Sequence, residues 1–88
     1  MNMPDKIEQI LRHSLEALEV EVVDESVLHA GHAGAASGGG HYRVRIVSPL
    51  FTGKNRVQRH RMVYAALADE MQHAIHALAL ATLTPDEV

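Results

Sequence analysis

The chain has 88 residues, seven histidines, no cysteine and a formal net charge of −3; a domain of this length buries only about 60–65% of its unfolded chain's surface, so one compact module over residues 1–88 with a thin core is expected. The lack of cysteine excludes disulfides and any self-contained thiolate metal site, so a soft metal would have to draw its sulfur ligands from a partner. The N-terminal MNMPDKIEQI has neither the basic nor the apolar region of a signal peptide, and no apolar run approaches the ~20 residues that span a bilayer, which makes the cytoplasm the expected location and excludes a membrane partner.

The charge is unevenly spread. Residues 1–40 hold two bases against seven acids, net −5; residues 41–68 hold six bases and no acid, net +6; Asp69, Glu70, Asp86 and Glu87 return −4. A basic middle between acidic ends can bind an anion or an acidic protein surface, or can pair with its own ends.

Ile7, Ile10, Leu11, Leu15 and Leu18 follow an i, i+3, i+4 stripe, and proline is tolerated in a first turn, so a helix is predicted over about 4–18. From Glu19 to Asp24 charged and β-branched residues alternate with Val20 and Val22 on one face, the pattern of a half-buried strand. The glycine-rich stretch from Ser26 to Gly40 has no periodicity and reads as a flexible loop. Beyond it Tyr42, Val44 and Ile46 face one way and His41, Arg43 and Arg45 the other, so His41 to Ser48 is predicted to pair with the first strand as a hairpin, with His29 or His32 near its open tip.

Pro49 and Gly53 break that strand. Val57, His60, Tyr64, Leu67 and Met71 then define the expected buried stripe of a helix over roughly 55–72, with Lys54, Arg56, Arg59 and Arg61 in its first turns. Ile75 to Thr82 is read as a third strand because His76, Leu78 and Leu80 alternate with Ala77, Ala79 and Ala81. Thr84-Pro85-Asp86-Glu87 has the threonine cap, first-turn proline and third-position glutamate of a helix start, with so little chain left that the turn is expected to fray. The predicted order is αββαβ with a vestigial α, an α+β class with a three-stranded sheet.

Among the histidines, His13 and His73 occupy polar helical positions and are expected to be solvated, while His60 falls on the expected buried stripe as a structural residue. His29, His32, His41 and His76 are left as candidate ligands. The pair Asp69-Glu70 is expected to be solvated on a helix face. No cysteine nucleophile, Gly-x-Ser-x-Gly elbow or Walker-type loop is present, so an enzyme is not expected.

Phe51-Thr52-Gly53-Lys54, Arg59-His60-Arg61 with Val63-Tyr64, Leu67-Ala68-Asp69-Glu70 and Ile75-His76-Ala77-Leu78, preceded by Val22-Val23-Asp24-Glu25-Ser26 and Val44 to Ser48, resemble the BolA family in order and spacing from about Ile7 to Pro85. The resemblance implies a fold similar to the type II KH module, with helices on one face of a three-stranded sheet. It also implies a monothiol glutaredoxin as partner and a shared [2Fe–2S] cluster, held by the histidine at His76 and a hairpin-loop residue that His29 matches best. His41 and His32 stand in reserve. The sulfur ligands would come from the partner's cysteine and glutathione; alone, the chain would carry no cofactor and be a monomer or weak homodimer.

Some BolA-like proteins are described as DNA-binding transcriptional regulators, which gives the alternative reading, with Lys54, Arg56, Arg59 and Arg61 meeting phosphates at the helix start. A KH-type clamp uses a GxxG loop there. Here Gly53-Lys54-Asn55-Arg56 supplies the first glycine, and Arg56 stands where the second belongs. Base stacking has little to work with, since Phe51 and Tyr64 are expected in the core and the remaining aromatic is Tyr42.

Overall fold

The computed structural model describes residues 2–26 and 40–88, in the order α1 (Met3–Ser14), β1 (Glu19–Asp24), β2 (Gly40–Val47), a 3-10 turn (Pro49–Phe51), α2 (Arg56–Ala66), α3 (Ala68–His73), β3 (Ile75–Leu83) and a second 3-10 turn (Pro85–Glu87). The sheet order is β1-β2-β3. β1 and β2 pair antiparallel, Glu19 opposite Val47 through Asp24 opposite Tyr42, and β2 and β3 run parallel, ending with Val47 opposite Leu83. Among the described residues no helix is long and apolar enough to cross a membrane.

The helix α1 starts where Asn2 accepts the Asp5 backbone N–H at 2.9 Å, and it buries Ile7 and Leu11. It ends four residues before the predicted limit. Glu16 takes a positive φ of 51°, and the chain then turns at once into sheet pairing, with the Leu18 N–H donating to Val47 O at 2.8 Å. Leu15 stays buried, but Leu18 is 58% exposed and does not belong to the stripe. The buried Ser48 fixes this corner, its hydroxyl donating to Leu15 O at 2.5 Å and accepting from Leu50 N–H at 3.1 Å.

The predicted strands agree with the structure within a residue, because alternation is a local signal wherever one sheet face is covered. Tyr42, Val44 and Ile46 point into one core cluster with Ile7, Leu11, Phe51, Val63, Leu67 and Ile75. Gly40 at the start of β2 leaves room for the Tyr42 ring, which a β-carbon there would meet at 2.5 Å and force to shift.

The single helix predicted over 55–72 is two, joined at Leu67. Its start is as expected: Asn55 and Gln58 each accept the other's backbone N–H at 2.9 Å, and Gly53 precedes them at φ 79°, a conformation that glycine adopts without steric cost. The buried row differs. Val63 and Leu67 are fully buried with Met62, Ala66 and Met71 partly so, whereas Val57 is 56% and Tyr64 39% exposed and His60 only half-buried. The inward row therefore begins at Arg59, and a charged residue at its head made the neighbouring row look like the apolar one.

Two further expectations are corrected. Glu70 is not solvated: it takes a salt bridge from Lys6 at 3.4 Å and its side chain is 12% exposed. The turn after Thr84 is tied down rather than frayed, because Thr84 is buried and its N–H donates to Glu87 Oε1 at 2.8 Å, while Arg59 reaches the same carboxylate.

Candidate functional site: a histidine pair and a basic groove

The register of β2 against β3 contains the feature that builds the first site. Gly40 pairs with Ile75 and His41 with Ala77, so β3 has one extra residue, His76, at this point. Regular alternation would send His76 to the same face as Leu78. The bulge allows Ile75 to be buried at 3% exposure and turns His76 to solvent, with its ring centre 5.1 Å from that of His41 and the rings tilted by 44°. Bulges re-aim single side chains in this way and are common beside functional sites.

The segment Asp24-Glu25-Ser26 sets the position of His41. The Ser26 N–H donates to Asp24 Oδ1 at 2.9 Å, closing a tight turn, and the Ser26 hydroxyl accepts the His41 backbone N–H at 3.0 Å. The Glu25 N–H donates to His41 O at 2.7 Å, and the Glu25 carboxylate pairs with Arg43 at 3.1 Å. Hydrogen bonds from Ser26, through its side chain first and its backbone second, hold the Asp24 carboxyl below the ordinary aspartate value. Burial pushes the neighbouring Tyr42 hydroxyl up, and the Asp24 charge adds to the effect. A hollow of about 250 Å³ opens at this end of the sheet, lined by Glu25, His41 and Ala77 among others.

The separation of the two rings is compatible with a shared metal and equally with ordinary ring packing, in which centres lie about 4.5–7 Å apart. With metal–nitrogen bonds of about 2.0 Å, two imidazoles on one tetrahedral ion have ring centres about 5 Å apart, which is the separation found. Two ligands do not complete a site, and among the described residues no group of three or more histidine, cysteine or acidic side chains gathers to hold a metal. His29 and His32 lie outside the described residues. His13 and His73 are exposed, as expected.

The second site is a groove of about 460 Å³ between the start of α2 and β3, lined by Lys54, Arg56, Arg59, His60, Thr82 and Glu87 among others. Arg59 is committed within it. Its Nε donates to Lys54 O at 2.8 Å, its Nη1 to Thr82 O at 3.2 Å and to Glu87 Oε1 at 2.6 Å, and its guanidinium lies 6.0 Å from the centre of the Phe51 ring. Lys54, Arg56 and Arg61 are exposed and form no ion pair among the described residues, and Arg61 lies outside the groove lining. The basic middle is thus partly neutralised by the acidic ends, through Arg43–Glu25, Arg45–Glu19 and Arg59–Glu87. Sequence reasoning missed Glu87 as a member of this site; its signal was the capping pattern, which placed an acid at a fixed point of the last turn.

Hydrogen bonds from Arg59 and then from the Thr84 backbone hold the Glu87 carboxyl below the ordinary glutamate value. A depressed folded-state value stabilises the fold above the unfolded-state value, and that contribution disappears as the pH falls through the folded-state value. Glu87→Gln is therefore expected to melt below the wild type at about pH 7, with the difference shrinking as the pH is lowered into the acid range, as read by thermal unfolding across a pH series.

The family comparison agrees with this architecture. The model of the BolA family, described as BolA-like protein, matches residues 11–87. The chain is 44% identical over 87 residues to the DNA-binding transcriptional regulator BolA of Escherichia coli strain K12, covering 99% of this chain and 80% of that one. It is 42% identical over 88 residues to the SufE-like protein 1, chloroplastic/mitochondrial, of Arabidopsis thaliana, covering 94% of this chain but only 24% of that longer protein. The solved BolA domain of SufE1 from Arabidopsis thaliana superposes with a TM-score of 0.86 at 41% identity, over 100% of this chain and 98% of that domain. With a family match over 11–87, a common fold and the same small α+β arrangement of three strands under helices, the chain belongs to the BolA family.

Proposed function

We propose that this chain is a cytoplasmic adaptor that binds a monothiol glutaredoxin and shares a [2Fe–2S] cluster with it, His76 and one further histidine supplying imidazole ligands. The observation that supports this reading is the approach of His41 to His76 at 5.1 Å across the bulge. Imidazole suits iron, and two histidines on one iron of such a cluster raise its potential relative to an all-cysteine centre. A chain without cysteine cannot supply the remaining ligands, so the partner's cysteine and glutathione complete the set. The role of this chain's own residues is to hold the imidazoles in place: Ser26 and Glu25 fix the backbone at His41, and the bulge aims His76.

Titration of the protein into cluster-loaded glutaredoxin, followed by visible absorbance and circular dichroism, tests the reading. The wild type is expected to change both spectra, and His76→Ala to leave them as they were without the partner while keeping its far-ultraviolet spectrum. An identical response from His76→Ala would remove His76 from the site.

The groove supports a second reading, a DNA-binding regulator. Lys54 and Arg56 line it without an ion pair among the described residues, and the Escherichia coli relative bears that function in its name.

A further inference from the structure

The least exposed cation of the groove, Arg59, is already in contact with an anion of the chain's own. Arg59 directs its guanidinium at the Glu87 carboxylate through two contacts, Nη1 to Oε1 at 2.6 Å and Nη2 to Oε2 at 3.4 Å. A guanidinium fork accepts a carboxylate and a phosphate in the same bidentate geometry. We propose that Glu87 is a built-in competitor for nucleic-acid phosphate, so that a phosphodiester occupying the groove displaces Glu87 from Arg59. The inference rests on the nucleic-acid reading of the groove and adds its regulation.

The two partners of this pair are held very differently. The Arg59 side chain is 14% exposed against 43% for Glu87. Arg59 is further fixed by its bonds to Lys54 O and Thr82 O, so the same guanidinium face is presented whichever anion meets it. Glu87 arrives on a three-residue 3-10 turn, anchored to the fold through its bonds with buried Thr84. An ion pair with an exposed partner is weakly held and screened by salt. Between a cation fixed by two backbone carbonyls and a carboxylate 43% exposed, the carboxylate is the member with room to move, at the cost of its bond from the Thr84 N–H. Lys54 and Arg56 flank the same groove and offer an incoming phosphate chain its first contacts.

The experiment measures binding of the full chain to a fluorescently labelled random-sequence DNA duplex by anisotropy, across a salt series. Wild type, Glu87→Gln and Asp86→Asn are compared. Asp86 is exposed, and Asp86→Asn removes the same charge from the same turn without touching Arg59. Neither substitution alters a core residue, and a thermal melt checks that each variant is folded at the assay temperature. Arg59 meets a phosphate in the bound state of both proteins, so the slope of log affinity against log salt should be the same for wild type and Glu87→Gln, while the variant, freed of the competing carboxylate, should bind up to about fivefold more tightly near 0.15 M salt, the worth of an exposed ion pair. Asp86→Asn should bind as the wild type does. Equal affinities for wild type and Glu87→Gln, with both binding, would overturn the competition and leave the nucleic-acid reading standing. A slope steeper by about 0.9 in Glu87→Gln would show that Arg59 stays with Glu87 in the wild-type complex and would overturn the displacement. The same tightening in Asp86→Asn would show that net charge alone is at work and would overturn it too. If neither wild type nor Glu87→Gln binds DNA in a salt-dependent way, the nucleic-acid reading fails and the competition with it.

Discussion

Phe51→Ala is expected to destabilise the protein by about 3–5 kcal/mol, the cost of removing a fully enclosed aromatic side chain and leaving a cavity. Phe51 has no exposed surface and heads the largest of the fully buried side chains. It sits in the 3-10 turn that links β2 to α2, so its ring is the point at which the sheet and the helix layer are joined. A chain of this size is stable by only about 5–15 kcal/mol in total, so the loss removes a large part of the margin. With a urea slope of about 1–1.5 kcal/mol/M for so small a protein, the unfolding midpoint should fall by about 2–5 M. Leu50→Ala next to it is the control: Leu50 is 37% exposed, and its loss should cost well under half as much. A Phe51→Ala penalty below about 1 kcal/mol would mean that the ring does not organise the core.

The difference between these neighbours was legible in part. Phe51 was expected to plug the core, and it does. Strands β1, β2 and β3 were legible because period-two alternation is a local property, and here it matches the pleat of a sheet covered on one face. The stripe of α2 was not legible, because Arg59 occupies the first inward position and finds its acceptors at Thr82 and Glu87, 23 and 28 residues away in sequence. The end of α1 was hidden for a similar reason: the chain leaves the helix to pair Leu18 with Val47, a contact that no local pattern encodes. The histidine pair depends on one extra residue in a parallel register. Alternation assigned His76 to the face of Leu78, and only the pairing of β2 with β3 shows it beside His41. The motif resemblance found His76 without that geometry, and it ranked His29 first, a residue outside the described part of the chain.

That ranking leads to the second large effect, on the glutaredoxin-bound cluster. Of the single substitutions, His41→Ala is expected to remove most of the spectral change that the wild type produces, and His29→Ala a smaller part. The double variant His29→Ala/His41→Ala should lose as much as His76→Ala. The physical reason is preorganisation. Fixing the backbone of one residue costs about 1–2 kcal/mol, and the His41 backbone is already fixed by its strand pairing, by the Ser26 hydroxyl and by the Glu25 N–H. A ligand on a backbone fixed in this way therefore delivers more of its metal-binding energy as affinity. Histidines competing for one coordination position do not act independently, and coupling of about 0.5–3 kcal/mol is usual for residues that share a site. The double variant should accordingly lose more than the two single losses added together. All variants should melt within a few degrees of the wild type, since neither His41 nor His76 belongs to the buried core cluster. The opposite pattern, a full response from His41→Ala and none from His29→Ala, would identify His29 as the second ligand and reduce the 5.1 Å contact between His41 and His76 to a packing interaction.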